Sequence, residues 1–489
     1  MTELESNLPR LPQSWGWAKI GDFTEVLGGK RLPKGHDFSE TRTDHPYIRV
    51  TDFESMSINQ HQLKFLEKKT FELIKKYTIS KDDVYISIAG SIGKIGTIPD
   101  NLNGASLTEN AAKILANQVV EKKALSLFLN STFAQKQIKK SIVSTNQPKL
   151  ALFRIEKILV PIPPRKEQAR IISKVEELFS FLDAGVASLH AVQAQLKRYR
   201  QAVLKYAFEG KLTEKWRTAH KDLIEPAQKT LEAINKKMNR PQFSLSVSPV
   251  LPKLPEEWAY CKLGDICASV EQVNPRNEPT KEITYLEIAS IDSNQRITAP
   301  TKYIGKDAPS RARQLVRTGD ILFSTVRTYL RHIALVDAVF NNQIASTGFC
   351  IIRPLEPINS IWLFNLVQTN SFLNPLTKIQ RGTSYPAVRN SDVFDQIIPF
   401  APIVEQDIIA REIEKHLSQA DETQQSIEKS MRVAENLRQR VLKNAFEGKL
   451  VFQNPNDEPA EKLLERIKTE RLIGKSKNNS QVELSEYVK

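Results

Sequence analysis

The chain has 489 residues, 40% hydrophobic and 26% charged, the balance of a globular protein too long for a single core. Its formal net charge of +14 favours polyanions such as nucleic acid as partners, although a solubility charge or a peripheral membrane contact would look the same. No apolar run approaches the roughly 18–20 residues that span a bilayer, and three cysteines cannot build a disulfide framework.

The opening MTELESNLPR has neither the cationic start nor the apolar run of a secretory signal, so the expected location is cytoplasmic, with no membrane contact. Leu11 to Asp22 reads LPQSWGWAKIGD and opens a globular block over residues 1–160. That block mixes β-rich runs such as DVYISIAG with a helical stretch, KALSLFLNSTFAQKQIKK, which predicts an α/β domain. PIPPRKEQ at Pro161 then starts a region, 161–212, with more than forty residues free of proline and with Gly185 as the one glycine before Gly210. Apolar residues at Ile171, Val175, Leu178, Leu182, Val186, Leu189, Val192, Leu196, Tyr199, Val203 and Tyr206 step by threes and fours, the stripe of one long helix. Its prolines pre-set the first turn and Gly210 ends it.

A linker over 213–252 leads to a second block, 253–398, opened by LPEEWAYCKLGD from Leu254 to Asp265. Strand-like runs ITYLEIAS, GDILFSTV and GFCIIRPL, with the helical SIWLFNLVQTNSFL, again read as α/β. Residues 399–450 form a second long helix, with Ile409, Ile413, Leu417, Ala420, Ile427, Ala434, Leu437 and Val441 along its stripe. The tail, 451–489, contains EPAEKLLERI, which echoes EPAQKTLEAI in the linker.

The second half therefore repeats the first. VLKYAFEGKL at Val203 returns as VLKNAFEGKL at Val441, 238 residues later. Twenty of the fifty-two positions from Pro161 to Leu212 are identical to Pro399–Leu450 without a gap. The blocks between these phrases match only at scattered anchors, such as DVYIS at Asp83 and DILFS at Asp320. About 42 helical residues make a rod of roughly 60 Å. A rod with one narrow seam needs a partner, and the other copy supplies one, antiparallel, giving a pseudo-two-fold repeat. The alternative is that each helix lies on its own block.

Catalytic signatures are missing. GSIGKIG at Gly90 lacks the spacing and the hydroxyl of a phosphate loop, and a glycine turn between strands explains it better. No Asn/Asp-Pro-Pro-aromatic stretch, zinc-ligand spacing or nucleophile elbow occurs.

The ordered set of Leu-Pro-x-x-Trp openings, following Gly-Asp pairs, Pro-Pro-x-x-Glu-Gln at Pro163–Gln168 and Ala-Phe-x-Gly-Lys-Leu ends resembles the specificity subunits of type I restriction–modification systems over nearly the whole chain. One departure is Ala401, where the pattern has proline. The resemblance implies two mixed α/β target recognition domains, separated by two long antiparallel coiled-coil helices. Each domain reads half of an asymmetric bipartite double-stranded DNA site, and the helices act as a ruler. It also implies a chain that is not an enzyme and holds no cofactor. Two methyltransferase (M) subunits would supply S-adenosylmethionine chemistry on adenine, and two restriction (R) subunits ATP- and Mg-dependent cleavage. A stand-alone nucleic-acid-binding regulator, or an enzyme with an unrecognised site, remain the rival readings.

Candidate DNA contacts are the polar and basic residues of expected loops. In the first block these are Arg42, Arg49, Lys94, Asn146, Gln147 and Lys149. In the second they are Arg327, Tyr329, Arg331, Arg381, Ser384, Tyr385 and Arg389. Arginine can pair with guanine, Asn and Gln with adenine, and any of them can hold phosphate. Trp15 and Trp258 read as packing anchors. The coiled-coil seam is expected at Ile171, Val175, Leu178, Leu182, Leu189, Leu196 and Val203, facing Ile409, Ile413, Ile427, Leu437 and Val441.

Overall fold

The computed structural model describes residues 8–142, 148–240, 251–292 and 295–469. These divide into two compact units, one within residues 8–189 with 429–469 and one within residues 190–428.

In the first unit the strand Gly16–Lys19 pairs antiparallel with Leu159–Ile162, closing the block just before the first long helix. Two four-stranded sheets follow. One has the order Val26–Gly28, Ala111–Ile114, Val84–Ser87, Ile95–Thr97, antiparallel throughout. The other runs Lys64–Phe65, Pro46–Ile48, Ala105–Leu107, Thr78–Ile79, with its central pair parallel. Val84, Tyr85, Ile86 and Ser87 are all buried, which is why DVYIS carries apolar side chains on both faces.

The second unit repeats the topology of these sheets, without a counterpart strand pair to the small ribbon Phe53–Glu54 with Ser57–Ile58 of the first. Ala259–Lys262 pairs with Ile397–Phe400. One sheet has the order Cys267–Ala268, Phe349–Pro354, Ile321–Ser324, Ile333–Leu335. The other runs Thr301–Ile304, Glu282–Leu286, Ile344–Ser346, Ala312–Leu315, again with a parallel central pair. Blocks that share only scattered residues thus share one fold. Both are mixed α/β, with helices Lys122–Leu129 and Ser360–Leu366 in corresponding places. Cys261, Cys267 and Cys350 are buried, and burial pushes their thiols up, so all three are inert packing groups.

The long helices are Arg165–Phe208 and Ile403–Phe446, 44 residues each. Both start after proline: the amides of Glu167 and Gln168 donate to the Pro164 carbonyl, and those of Glu405 and Gln406 to Pro402. Pro402 does this unaided by Ala401. Both end in a left-handed glycine, Gly210 (φ 71) and Gly448 (φ 70). The next amide, Lys211 or Lys449, reaches back to the Tyr206 or Asn444 carbonyl, the six-to-one bond of a Schellman cap.

Within the first unit the start of one helix meets the end of the other: Ile171, Val175 and Phe179 share a core with Leu442, Ala445 and Phe446. Farther along, the Arg438 guanidinium lies over Phe179 and pairs with Asp183. Within the second unit Val203, Leu204, Ala207 and Phe208 pack with Ile409, Ala410 and Ile413, while the Tyr199 hydroxyl and His416 Nδ1 are 2.8 Å apart. The pairing is antiparallel in both. Each helix also lies on its own sheet domain, so the two packing alternatives raised by periodicity coexist.

The seam is a heptad that Val192, Tyr199, Tyr206 and Leu437 do not join. All four are exposed. At those levels Gln193, Arg200 and Val203 turn inward on the first helix, and Ala434, Arg438 and Val441 on the second. One polar and two charged residues with long aliphatic stems, Gln193, Arg200 and Arg438, therefore occupy seam positions, which hides them from a pattern built on apolar side chains.

Candidate nucleic-acid interface

The phrases common to both halves turn out to build the frame. Trp15 Nε1 donates to Glu167 Oε2 at 3.0 Å, and Trp258 Nε1 donates to Glu405 Oε2 at 2.8 Å. Gln168 Oε1 accepts the amide of Glu121, at the start of helix Lys122–Leu129, and Gln406 Oε1 accepts that of Asn359 before Ser360–Leu366. Leu-Pro-x-x-Trp and Glu-Gln are thus two sides of one clasp. It fixes a sheet domain onto the first turn of its helix. Asp83 and Asp320 are buried too, each accepting a backbone amide, from Ser80 and Arg317 respectively. Asp320 also accepts two bonds from Arg353. None of these residues is free to touch a ligand.

What differs between the halves lies in the loops above the all-antiparallel sheets. In the second unit one loop joins Ile321–Ser324 to Ile333–Leu335, and another joins helices Asn370–Lys378 and Asn390–Phe394. They are stitched together by the bridge Val326–Ala387 and by the Arg327 amide, which donates to the Pro386 carbonyl at 2.7 Å, while the bridge Arg381–Ala387 closes the second loop on itself. Arg327 Nη2 donates to the Ser384 carbonyl, and its guanidinium lies 5.0 Å from the Tyr385 ring centroid. Thr328 is buried and hydrogen-bonded to Gln380.

This two-loop platform brings together all seven residues singled out in the second block. Their freedom differs. Tyr329, Ser384, Tyr385 and Arg389 are exposed. Arg381 is exposed but paired with Asp392, whose carboxyl it holds below the usual range. Arg331 donates to the Gln368 carbonyl and to Asn370, and burial lowers its pKa, so it is an internal strut. Arg327 and Arg331 both adopt left-handed backbone (φ 50 and 56), an arrangement that costs a non-glycine residue about 1–2 kcal/mol.

The first unit has corresponding loops after Val84–Ser87 and before helix Leu152–Ile155, the second described only from residue 148 onward. Ala89 bridges Lys149, and the Leu150 amide donates to Ile88. Lys94 and Lys149 are exposed there, although Lys94 Nζ also donates to the Phe53 carbonyl. Lys149 lines a cleft of about 360 Å³ together with Lys30 and Arg31, two cations that sequence reasoning passed over. Their signal was the cluster GGKRLPK after a strand, where a side chain at Gly29 would collide with the Leu107 and Thr108 carbonyls. Arg42 and Arg49 border the other sheet. Arg42 is exposed over Phe65, but Arg49 is spent on Asp52 and the Gln62 carbonyl. Asn146 and Gln147 lie outside the described residues. Trp15 and Trp258 are 4% and 6% exposed and present no stacking surface.

Among the described residues no group of three or more His, Cys, Asp or Glu is placed to hold a metal ion, and no helix is long and apolar enough to cross a membrane.

Two domains of one topology, each fixed to a duplicated helical frame and each differing in its exposed cationic loops, define a tandem recognition protein. A family model described as the type I restriction modification DNA specificity domain matches residues 12–191. The EcoDI specificity subunit of Escherichia coli is 28% identical over 67% of this chain and 72% of its own length. The EcoKI specificity subunit of Escherichia coli strain K12 is 24% identical over 96% of this chain and 98% of its own. A solved structure from work on complex assembly and conformational transition of the type I R-M system has the same fold. It covers 90% of this chain and 99% of that one, at 18% identity with a TM-score of 0.61. Over nearly its whole length the chain is thus similar to specificity subunits of type I restriction enzymes.

Proposed function

We propose that this chain is the non-catalytic subunit that selects an asymmetric, bipartite site on double-stranded DNA for a type I restriction–modification complex. Each sheet domain reads one half of the site through its loop pair, and the length of the paired helices sets the spacer between halves. The repeated helix ends offer two equivalent docking surfaces for a methyltransferase subunit used twice. That subunit supplies S-adenosylmethionine and methylates adenine. Two restriction subunits add ATP- and Mg-dependent cleavage, and this chain contributes no group to either reaction.

One observation carries the reading. Residues common to both halves are buried in clasps and caps, whereas the exposed cationic loops are where the halves differ. A frame kept alike with surfaces made unlike is what two different half-sites demand. Arginines on such loops can grip guanine edges or phosphates, and the +14 charge adds sequence-independent attraction.

Methylome sequencing of cells expressing the chain with its methyltransferase partner tests this directly. The expected result is one motif of two unlike half-sites separated by a fixed, unspecified gap. Transplanting residues 325–331 and 381–389 from a relative of different specificity should change one half-site only. A single uninterrupted motif, or a change in both halves, would overturn the assignment.

A further inference from the structure

The corresponding turns of the two units differ in one respect that their common backbone makes visible. Both leave a strand at a serine that ties the turn by its hydroxyl, Ser87 to the Ser91 carbonyl and Ser324 to the Val326 carbonyl. Both need two left-handed residues. The first unit uses Gly90 (φ 71) and Gly93 (φ 90), which adopt that backbone without strain. The second unit uses Arg327 (φ 50) and Arg331 (φ 56), which do not.

The arginine side chains show what the strain holds in place. Arg331 is tied inward to Gln368 and Asn370, and Arg327 lies across to Ser384 and Tyr385. Between them Thr328 is 2% exposed and bonded to Gln380. The turn is therefore clamped at both ends and from beneath. What it pushes outward is Tyr329, 52% exposed, and Leu330, 49% exposed. In the first unit the same turn carries Ser91 and Ile92, and Ile92 packs back against the core.

Leucine offers a nucleic acid no hydrogen bond. Held rigidly beside arginines, it can bury itself against a duplex as a wedge between neighbouring base pairs, which covers more of it than a thymine methyl in the major groove would. We propose that Leu330, backed by Tyr329, enters a base step in the half-site read by the second unit and partly unstacks it, while the first unit reads stacked DNA. This rests on the DNA-reading function proposed above.

The test uses the complex of the full chain with its methyltransferase partner. The duplexes carry the site found by methylome sequencing, with 2-aminopurine placed in turn at adenine positions other than those methylated. Binding is followed by anisotropy and unstacking by fluorescence. A several-fold fluorescence rise is expected at one step, in one half-site. Leu330→Ala should abolish that rise while leaving the melting temperature and recognition of the other half-site as in the wild type, and Leu330→Met should restore most of it. Tight binding with no rise at any step overturns the wedge alone. So does a Leu330→Ala variant that keeps the rise, or one whose single effect is lost preference for a thymine, which would mark a methyl contact in the major groove. Failure of the wild-type complex to bind the duplex would overturn the DNA-reading function and the wedge together.

Discussion

Trp15 and Glu167 are 152 residues apart in sequence, yet the indole Nε1 donates to the carboxylate at 3.0 Å inside a buried contact. The second copy, Trp258 with Glu405, looks the same but is better satisfied. Thr213 and Arg217 also donate to Glu405, with Arg217 in a buried ion pair. Glu167 Oε1 has no hydrogen-bond partner among the described residues. The two clasps should therefore respond differently to the same change. Glu405→Gln should lower stability by about 3 kcal/mol, because Arg217 loses its counter-charge in a dry site. Glu167→Gln keeps an acceptor for Trp15 and removes a poorly compensated charge, so its melting point should match or slightly exceed the wild type, by at most about 1 kcal/mol. Thermal melts of both variants decide it.

The same asymmetry has a pH signature. Burial raises the pKa of Glu167 above the ordinary carboxylate range, with the Trp15 hydrogen bond only partly opposing it. A raised carboxylate pKa means that the folded state binds a proton more readily than the unfolded chain. The penalty of the charged form is then complete above the raised value and fades as pH falls through it. The stability of wild type relative to Glu167→Gln should rise on acidification toward the ordinary carboxylate range. Asp392 behaves oppositely, since Arg381 depresses its pKa and that contribution is lost as pH falls. Denaturant titrations of Glu167→Gln and Asp392→Asn at a series of pH values would separate the two slopes.

Glycine is required at one kind of helix position here and not at another. Gly448 is left-handed, and a side chain there would collide with Pro12 of the opening phrase; Gly210 stands in the same relation to Pro255. Gly448→Ala should cost about 2 kcal/mol or more, the left-handed penalty plus the clash. Gly185 sits mid-helix, exposed, with open space where a side chain would go. Gly185→Ala should stabilise by about 0.5–1 kcal/mol. Paired melting curves give both signs in one experiment.

Much of this was legible in the sequence, and the division between what was and was not has a physical cause. The helices were legible because their proline starts, glycine ends and apolar steps are local signals, and the duplication doubled each one. The clasp was visible only as recurring letters: nothing in LPQSW states that its indole meets a glutamate 152 residues away. The expected seam departs from the observed one at Leu437, which is exposed, because Arg438 buries its stem while looking polar on paper. In the second domain the residues that share the two-loop platform stand out in the sequence because TVRTYLRH and QRGTSYPAVR are rich in Arg and Tyr. Lys30 and Arg31 were missed because it takes the fold to bring them beside Lys149. Arg49 looked available, and only coordinates show that Asp52 holds it.

The ruler proposed for the paired helices makes a quantitative prediction. A heptad insertion preserves the seam, whereas other lengths rotate it. Matching insertions of seven residues, between Leu189 and Leu196 and between Ile427 and Ala434, lengthen each helix by about 10 Å, the rise of roughly 3 base pairs. The methylome of that variant should show both half-sites unchanged and a spacer longer by about that amount. Altered half-sites with the old spacer would refute the ruler.

Arg327 and Arg49 are both arginines of domain loops, and they should fail in opposite ways. The Arg327 side chain bonds to one carbonyl and rests on the exposed ring of Tyr385, a pre-aligned donor set with most of its hydrogens unused. Arg49 Nε and Nη2 are committed to Asp52, which is 3% exposed, and Nη2 also reaches Gln62. Arg327→Ala should leave the melting temperature nearly unchanged and weaken DNA binding by about 1–3 kcal/mol, relaxing base choice in one half-site if it grips a guanine. If it holds phosphate instead, binding should weaken for all sequences alike and the slope of log affinity against log salt should fall by about one unit. Arg49→Ala should lower stability by about 1–2 kcal/mol through the stranded Asp52 and leave both half-sites as they were. Competition binding across single-base variants, run beside thermal melts, distinguishes all three outcomes. A relaxed half-site in Arg49→Ala would mean that the second sheet of the first domain also faces DNA.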